Sequence, residues 1–404
     1  MVQKAKRTIS FLGPAFVAAV AYVDPGNFAA NFSSGTQFGY MLLWVLVVAN
    51  IMASLVQYLS AKVGIATGKS LPEVIGEKLG RKARIAYWLQ AEIVAMATDI
   101  AEVIGGAIAL NLLFGVPLVA GGIITGIVSM ILLATYTNKG QKLFERIIVG
   151  LLCIIPLGFF AGLVMSPPDA AELGAGLVPR FDGKDSLLLA AAMLGATVMP
   201  HVVYLHSALA RDRHGKVKAT ELRHYLRMTR IDVGVAMVVA GSVNIAMLVL
   251  AASTFQGMQG VDSLEGIFSA LNGTIAPFVG VLFALGLLVS GFASTAVGSQ
   301  AGSVIMQGLV KRQISPILRR VVVTIPAILL LAAGVDPTFA LVVSQVVLSF
   351  GIPFALVPLV MVTHSRRIMG DAVNHRYTSV AIAMISVVVI VLNLALIALT
   401  VADL

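Results

Sequence analysis

The sequence predicts an all-α integral membrane protein of eleven transmembrane helices. Two inverted repeats of five helices, the first helix of each unwound at the bilayer midplane, are followed by one extra C-terminal helix. Three observations predict this. Hydrophobic residues make up 58% of the 404 and charged residues 12%, with a mean hydropathy of +0.96, more apolar surface than a soluble core of this length hides. The apolar runs are long, continuous and rich in Ala, Leu, Val and Gly, where a membrane barrel would show short alternating strands. Two of them carry helix-incompatible polar residues at their centres, Asp24-Pro25-Gly26-Asn27 in the first and Met199-Pro200-His201 in the sixth.

Length and loop punctuation place the spans at roughly 10–37, 40–66, 84–113, 118–136, 143–165, 186–211, 222–255, 270–309, 317–334, 337–362 and 379–402. Basic residues mark the sides. One side holds Lys4, Lys6 and Arg7, then Lys62, Lys69, Lys78, Arg81, Lys82 and Arg84, then Lys139, Lys142 and Arg146. It continues with Arg211, Arg213, Lys216, Lys218, Arg223, Arg227 and Arg230, then Lys311, Arg312, Arg319 and Arg320, and finally Arg366, Arg367 and Arg376. The other side has Arg180 and Lys184. This asymmetry predicts a multi-pass cell-membrane protein with its N-terminus in the cytoplasm and its C-terminus outside. A basic start before an apolar run ending in Ala18-Ala19-Val20-Ala21 also has the outline of a secretory signal. Cleavage there would strand Asp24-Pro25-Gly26-Asn27 at a terminus, so the first helix is read as retained.

Five spans precede the loop at 166–185 and five follow it before a last, extra helix. Because five is odd, the two sets enter the membrane from opposite sides, which makes the repeats inverted. The expected organisation is a first repeat at 1–165, an extracellular loop at 166–185, a second repeat at 186–362, and a cytoplasmic loop with span eleven at 363–404, all in one transmembrane domain.

Other classes find no support. The single cysteine, Cys153, forms no intrachain disulfide and is read as a small buried hydrophobe. The net charge of +9 is spread over short loops, which argues against nucleic acid as partner. No HExxH, nucleophile elbow or phosphate loop occurs, so no enzyme is expected. No lipidation signal, soluble domain or obligate protein partner is evident; the bilayer itself is the expected surrounding. Gly286, Gly291, Gly298 and Gly302 read as a close-packing face of span eight.

The breaks carry the chemistry. Proline removes a backbone donor and glycine weakens a helix further. Irregular backbone at membrane depth survives only where it is buried in protein or lines a cavity. Interrupted segments at matching positions of two halves point to a substrate site. Asp24 offers a carboxylate, Asn27 an amide oxygen, Met199 a thioether, and the unwound turns release carbonyls such as those of Ala21 and Ala196. Oxygens with one soft sulfur suit a divalent cation, and the thioether favours manganese, iron, cobalt or cadmium over magnesium and calcium. Plainer readings compete. Met199 is one of 16 methionines and packing is their usual role. Asn27 can cap the second half of span one, a role worth about 1 kcal/mol. A carboxylate at membrane depth, as at Asp24, is expensive and points to function.

Asp24-Pro25-Gly26-Asn27 together with Ala196-Thr197-Val198-Met199-Pro200-His201 resembles the Nramp family of divalent metal transporters, and the match spans essentially the whole chain. Thr98-Asp99-Ile100-Ala101-Glu102, Tyr204-Leu205-His206-Ser207 and Ser344-Gln345-Val346 fit the same resemblance. It implies a LeuT-type fold and proton-coupled uptake of manganese or ferrous iron into the cytoplasm, with no cofactor beyond the transported metal and the coupling H+. It further implies metal binding by Asp24, Asn27, Met199 and the carbonyls of Ala21 or Ala196, with Gln345 approaching the ion in some conformations.

Proton coupling needs titratable groups near the site. Asp24 must lose its proton to bind metal, and His201 beside Pro200 is a second candidate. His206 reads as structural. Glu92, Asp99 and Glu102 share one face of span three, at spacings of seven and three, and Arg319-Arg320 at the start of span nine are their natural partners. By resemblance these five form a proton route toward the cytoplasm; the competing readings are a static salt-bridge cluster or snorkelling arginines. Gln57 and Asn244 are read as lining an aqueous path or joining helices. Two rival functions stay open, a metal-permeable channel and a sodium-coupled amino-acid carrier of the same fold. Asp24 opposes the latter, because it would repel the substrate carboxylate.

Overall fold

The computed structural model describes residues 13–402 apart from 140, 216, 259, 262, 313 and 314. Lys4, Lys6, Arg7, Lys216 and the start of span one lie outside the described residues. Every regular element among them is helical. Among the described residues, eight helices are long and apolar enough to cross a membrane. Of the other predicted spans, the described part of span one is the two short helices Pro14–Ala21 and Pro25–Phe38, span four is the helix Leu118–Lys139, and span nine, Pro316–Ala332, has 17 residues.

The breaks fall where the prolines demand them. Span one runs as Pro14–Ala21, unwinds over Tyr22 and Val23, and resumes as Pro25–Phe38. Span six runs as Gly183–Thr197, unwinds at Val198 and Met199, and resumes as Pro200–His214. In both, the proline takes the first position of the second half, where its missing N–H is no loss and its fixed φ suits the helix.

The remaining spans are two (Leu43–Thr67), three (Arg81–Phe114), four (Leu118–Lys139), seven (Ala219–Phe255), eight (Pro277–Val310), ten (Pro337–His364) and eleven (Arg376–Ala402). Span five joins Gln141–Ile154 to Pro156–Met165 through Ile155, which keeps helical dihedrals. Gly68 and Gly115 end spans two and three in the left-handed region, and each N–H closes on a carbonyl four residues back. One boundary needs correction. Span eight was expected from 270, but Leu264–Ala270 is a separate short helix, followed by a π turn and by Ala276 in extended conformation (φ −170, ψ 148) before Pro277. Residues preceding proline avoid helical dihedrals, so the span starts at Pro277. The short helix Leu71–Lys78, unforeseen as an element, carries a Ser70–Glu73 capping box.

The molecule is apolar outside and carries polar groups within. Ile51, Val164, Val238, Leu329 and Phe339 are exposed, while Asp24, Asn27, Asp99, Glu102, Arg320 and Gln345 are fully buried. Such an exterior suits lipid, which solvates apolar side chains. Cys153 lies on it, exposed, and the expectation of a buried cysteine is wrong because an apolar residue need not hide from hydrocarbon. Span eight packs along span three. At Gly291 an added Cβ would stand 3.1 Å from the Gly106 nitrogen and 3.2 Å from the Glu102 carbonyl, so the small residue permits this approach. Phe28 and Phe32 in span one meet Phe159 and Phe283 in edge-on and tilted pairs 5.2–6.0 Å apart, fixing the second half of span one against spans five and eight.

Candidate metal centre

The first break is closed by its own polar residues. Asp24 is the N-cap of Pro25–Phe38: its Oδ1 accepts from the Asn27 N–H at 2.7 Å, and the Asn27 Oδ1 accepts from the Asp24 N–H at 3.4 Å. The cap of the second half of span one is Asp24 and not Asn27, which completes the box from the third helical position. The carboxylate therefore uses one oxygen on the backbone. The other, Oδ2, is buried without a hydrogen-bond partner.

The freed carbonyls are largely spoken for. Asn244 Nδ2 donates to the Tyr22 carbonyl at 2.7 Å, and Ser290 Oγ donates to that of Val23. The Ala21 and Ala196 carbonyls differ, because the residue four positions on, which would donate in a continuous helix, is Pro25 in one case and Pro200 in the other. Neither proline has an N–H to give. Met199 caps Pro200–His214 with extended dihedrals and no side-chain hydrogen bond, and its thioether is fully buried.

Span ten touches both breaks through Gln345. Its side chain lies where a Cβ on Gly26 would stand, and its carbonyl presses on Gly195 just before the second break. Gln345 Oε1 is buried without a partner. Each break proline also meets a glycine, Pro25 at Gly105 and Pro200 at Gly351. Among the described residues, no group of three or more His, Cys, Asp or Glu forms a metal cluster. The donors at the breaks are instead mixed: carboxylate, amide, thioether and carbonyl.

The histidines part ways. His201 Nδ1 stands 3.4 Å from Thr98 Oγ1 on span three. His206 Nδ1 pairs with Gln57 Oε1 at 2.7 Å, and Gln57 in turn donates to the Tyr22 hydroxyl. In both rings Nε2 is buried without a partner.

The acids of span three meet the arginines of span nine unevenly. Asp99 sits between both: Arg319 Nη1 at 3.2 Å from Oδ2 and Arg320 Nη1 at 2.9 Å from Oδ1. Arg319 also reaches Glu92 at 2.8 Å, and Arg320 Nε donates to Ser129 Oγ at 2.9 Å. Glu102 lies off this chain of contacts. Both its oxygens are buried without a hydrogen-bond partner, 3.2 Å from the place a Cβ on Gly298 would occupy. Gly302 likewise makes room for the Arg319 guanidinium, so the glycine face of span eight holds this network as well as packing on span three.

Three groups escaped the sequence reading. Asn31, one turn beyond Asn27, donates to Asn244 Oδ1 at 2.7 Å alongside Asn27 at 3.1 Å, and that four-residue spacing was visible. Asp232 on span seven accepts from Gly13 and Ala15 at 3.3 and 3.2 Å, fastening the start of span one. Arg213 pairs with Glu145 at 2.9 Å beside it. Nothing in the sequence joins those positions, which are far apart along the chain.

The fold and the site together define a multi-span helical membrane protein in which two broken helices, bridged by span ten, present buried donor atoms. Residues 15–399 match the Nramp family, described as natural resistance-associated macrophage protein-like. The divalent metal cation transporter MntH of Mycobacterium tuberculosis (strain CDC 1551 / Oshkosh) is 58% identical over 392 residues, covering 96% of this chain and 91% of that one. Among solved structures, the Eremococcus coleocola manganese transporter in complex with an aromatic bis-isothiourea substituted compound superposes with a TM-score of 0.87. It is 30% identical and covers 96% of this chain and 86% of that one. Mhp1, a nucleobase-cation-symport-1 family transporter, gives a TM-score of 0.64 at 16% identity over 97% of this chain and 91% of its own, a likeness of fold alone. This chain belongs to the Nramp family, and its fold is of the LeuT type.

Proposed function

We propose that this protein is a secondary active transporter that carries divalent transition-metal ions, manganese and ferrous iron with cobalt and cadmium also accepted, into the cell by alternating access coupled to protons. The observation that carries the reading is the set of unspent donors at the breaks: Asp24 Oδ2, Gln345 Oε1, the Met199 sulfur, and the Ala21 and Ala196 carbonyls deprived of helical donors by Pro25 and Pro200. Buried polar atoms are normally paired. A divalent cation satisfies these at once, and Asn27 joins them when its amide oxygen leaves the cap. The names of the relatives, a divalent metal cation transporter and a manganese transporter, support the same reading.

A metal ion requires Asp24 as carboxylate and so releases its proton. The unpartnered Glu102 is the next acceptor in this scheme, and the Asp99, Arg319, Arg320 and Glu92 contacts continue from it; His201, with its free Nε2, is the alternative outlet. His206, Thr98 and Gln57 position these groups through the hydrogen bonds described above. The span count of eleven, the repeats at 1–165 and 186–362, the N-terminus in the cytoplasm and the C-terminus outside belong to this proposal and are supported by the charge asymmetry. Manganese uptake into proteoliposomes, followed together with internal acidification, is the test. Asp24→Ala abolishes uptake, and Glu102→Gln keeps metal binding but loses most of the acidification; acidification equal to wild type in Glu102→Gln would remove span three from the proton route.

A further inference from the structure

A groove of about 560 Å³ opens between the end of span ten and the start of span eleven, on the side of the molecule where the basic loops gather, and it takes no part in the metal site. Its walls are two helix faces. Val360 and His364 lie one turn apart on span ten, while Arg376, Val380 and Ala383 follow one another at spacings of four and three on span eleven. The polar residues therefore stand together at the loop end and the apolar ones lead toward the lipid-facing surface, where Val387 is 58% exposed. No carboxylate lines the groove among the described residues.

At the polar end stands an unspent donor. Asn374 is 8% exposed, and its Oδ1 accepts from Lys62 Nζ at 2.8 Å. Lysine only donates, which fixes the amide orientation and leaves Nδ2 as the other arm. That Nδ2 is buried without a hydrogen-bond partner, and Asn374 is one of the residues that line the groove. Next to it, Arg376 opens span eleven, whose first-turn N–H groups lack intrahelical acceptors and favour an anion. His364 and Ser379, paired at 3.2 Å, complete the rim.

From this arrangement we infer that the groove binds an anionic phospholipid, its phosphate held by Arg376, Asn374 Nδ2 and the start of span eleven, and an acyl chain laid along Val360, Val380 and Ala383. A cation and an orphaned amide donor select the phosphate, and the apolar floor, continuous with the lipid-facing surface, selects a lipid over a soluble anion. Because Asn374 is also held by Lys62, the bound lipid fastens spans ten and eleven to span two.

The test uses the full chain purified in detergent, with thermal unfolding and native mass spectrometry as readouts and phosphatidylglycerol, phosphatidylcholine and inorganic phosphate as separate probes. Phosphatidylglycerol raises the melting temperature and stays bound to the protein, and the other two do not. Arg376→Gln, at an exposed position, weakens phosphatidylglycerol by about fivefold, the loss expected for one basic residue at a membrane surface, whereas Arg376→Lys retains most of the binding. Equal stabilisation by phosphatidylcholine or by inorganic phosphate, or unchanged phosphatidylglycerol binding in Arg376→Gln, overturns the assignment.

Discussion

Replacing Asp99 with asparagine leaves two buried guanidinium groups to rearrange. Asp99 is fully buried and receives both Arg319, at 3.2 Å, and Arg320, at 2.9 Å. Arg319 keeps a second carboxylate, Glu92 at 2.8 Å. Arg320, itself fully buried, keeps the Ser129 hydroxyl and has no other ion pair among the described residues. The substitution thus strands one cation rather than two. Removing one member of a buried pair costs about 3–5 kcal/mol, and about 3 kcal/mol is already a hundredfold in the folded-to-unfolded ratio. Glu92 is 13% exposed and touches Arg319, which would still hold Asp99, so Glu92→Gln leaves no cation without a carboxylate and costs less than Asp99→Asn. Denaturant unfolding in detergent micelles measures both. Replacing Asp99 and Arg320 together by apolar residues of similar volume recovers most of the loss, since no charge is then left unpaired. A stability for Asp99→Asn within about 1 kcal/mol of wild type, or one that matches Glu92→Gln, would refute the view that Asp99 holds the centre of the network.

Three further outcomes are expected. Met199→Ala retains manganese and cadmium uptake at a reduced rate while calcium and magnesium compete better, because the soft ligand is lost; an unchanged metal ranking in competition uptake would confine Met199 to packing. Gly26→Ala drives a Cβ into the Gln345 side chain and costs about 1–3 kcal/mol as over-packing, and Gln345→Ala in the same chain restores part of the lost stability, read by thermal unfolding; failure of that rescue would place the clash elsewhere. Glu73 lies outside the membrane spans: burial pushes its carboxyl up, but hydrogen bonds from the Ser70 N–H and hydroxyl and the charge of Arg211 outweigh burial and hold it below the usual carboxylate range. Its folded pKa is the lower one, so its stabilisation is present above the ordinary pKa and disappears as pH falls through the folded value. The melting-temperature gap between wild type and Glu73→Gln should be wide at neutral pH and close in acid; a gap that ignores pH would sink the argument.

Much of the architecture is legible from one dimension. Pro25 and Pro200, each beside polar or flexible residues, mark the two breaks, although Pro326, Pro353 and Pro358 sit inside continuous helices; Gly68 and Gly115 end their helices, and runs of apolar residues longer than a soluble helix needs declare a membrane. The start of span eight was misread because Leu271 and Ile275 continue the apolar pattern, and the clue lay in Pro277. Cys153 was misplaced because hydropathy alone does not distinguish a side chain facing protein from one facing lipid.

By itself, then, the sequence determined the helical membrane class, the two breaks, their donor types and the family, since these depend on local backbone chemistry and on composition. The tertiary structure decided which groups are spent. It gave one oxygen of Asp24 to the cap and left the other free. It assigned Asp99 and Glu92, but not Glu102, to the arginines, and laid Gln345 of span ten across both breaks. Those outcomes depend on how distant helices approach, where a glycine at Gly26, Gly298 or Gly302 admits one side chain and a fixed rotamer directs a donor to a single acceptor. Spacing along the chain shows that partners exist, and packing in three dimensions chooses among them.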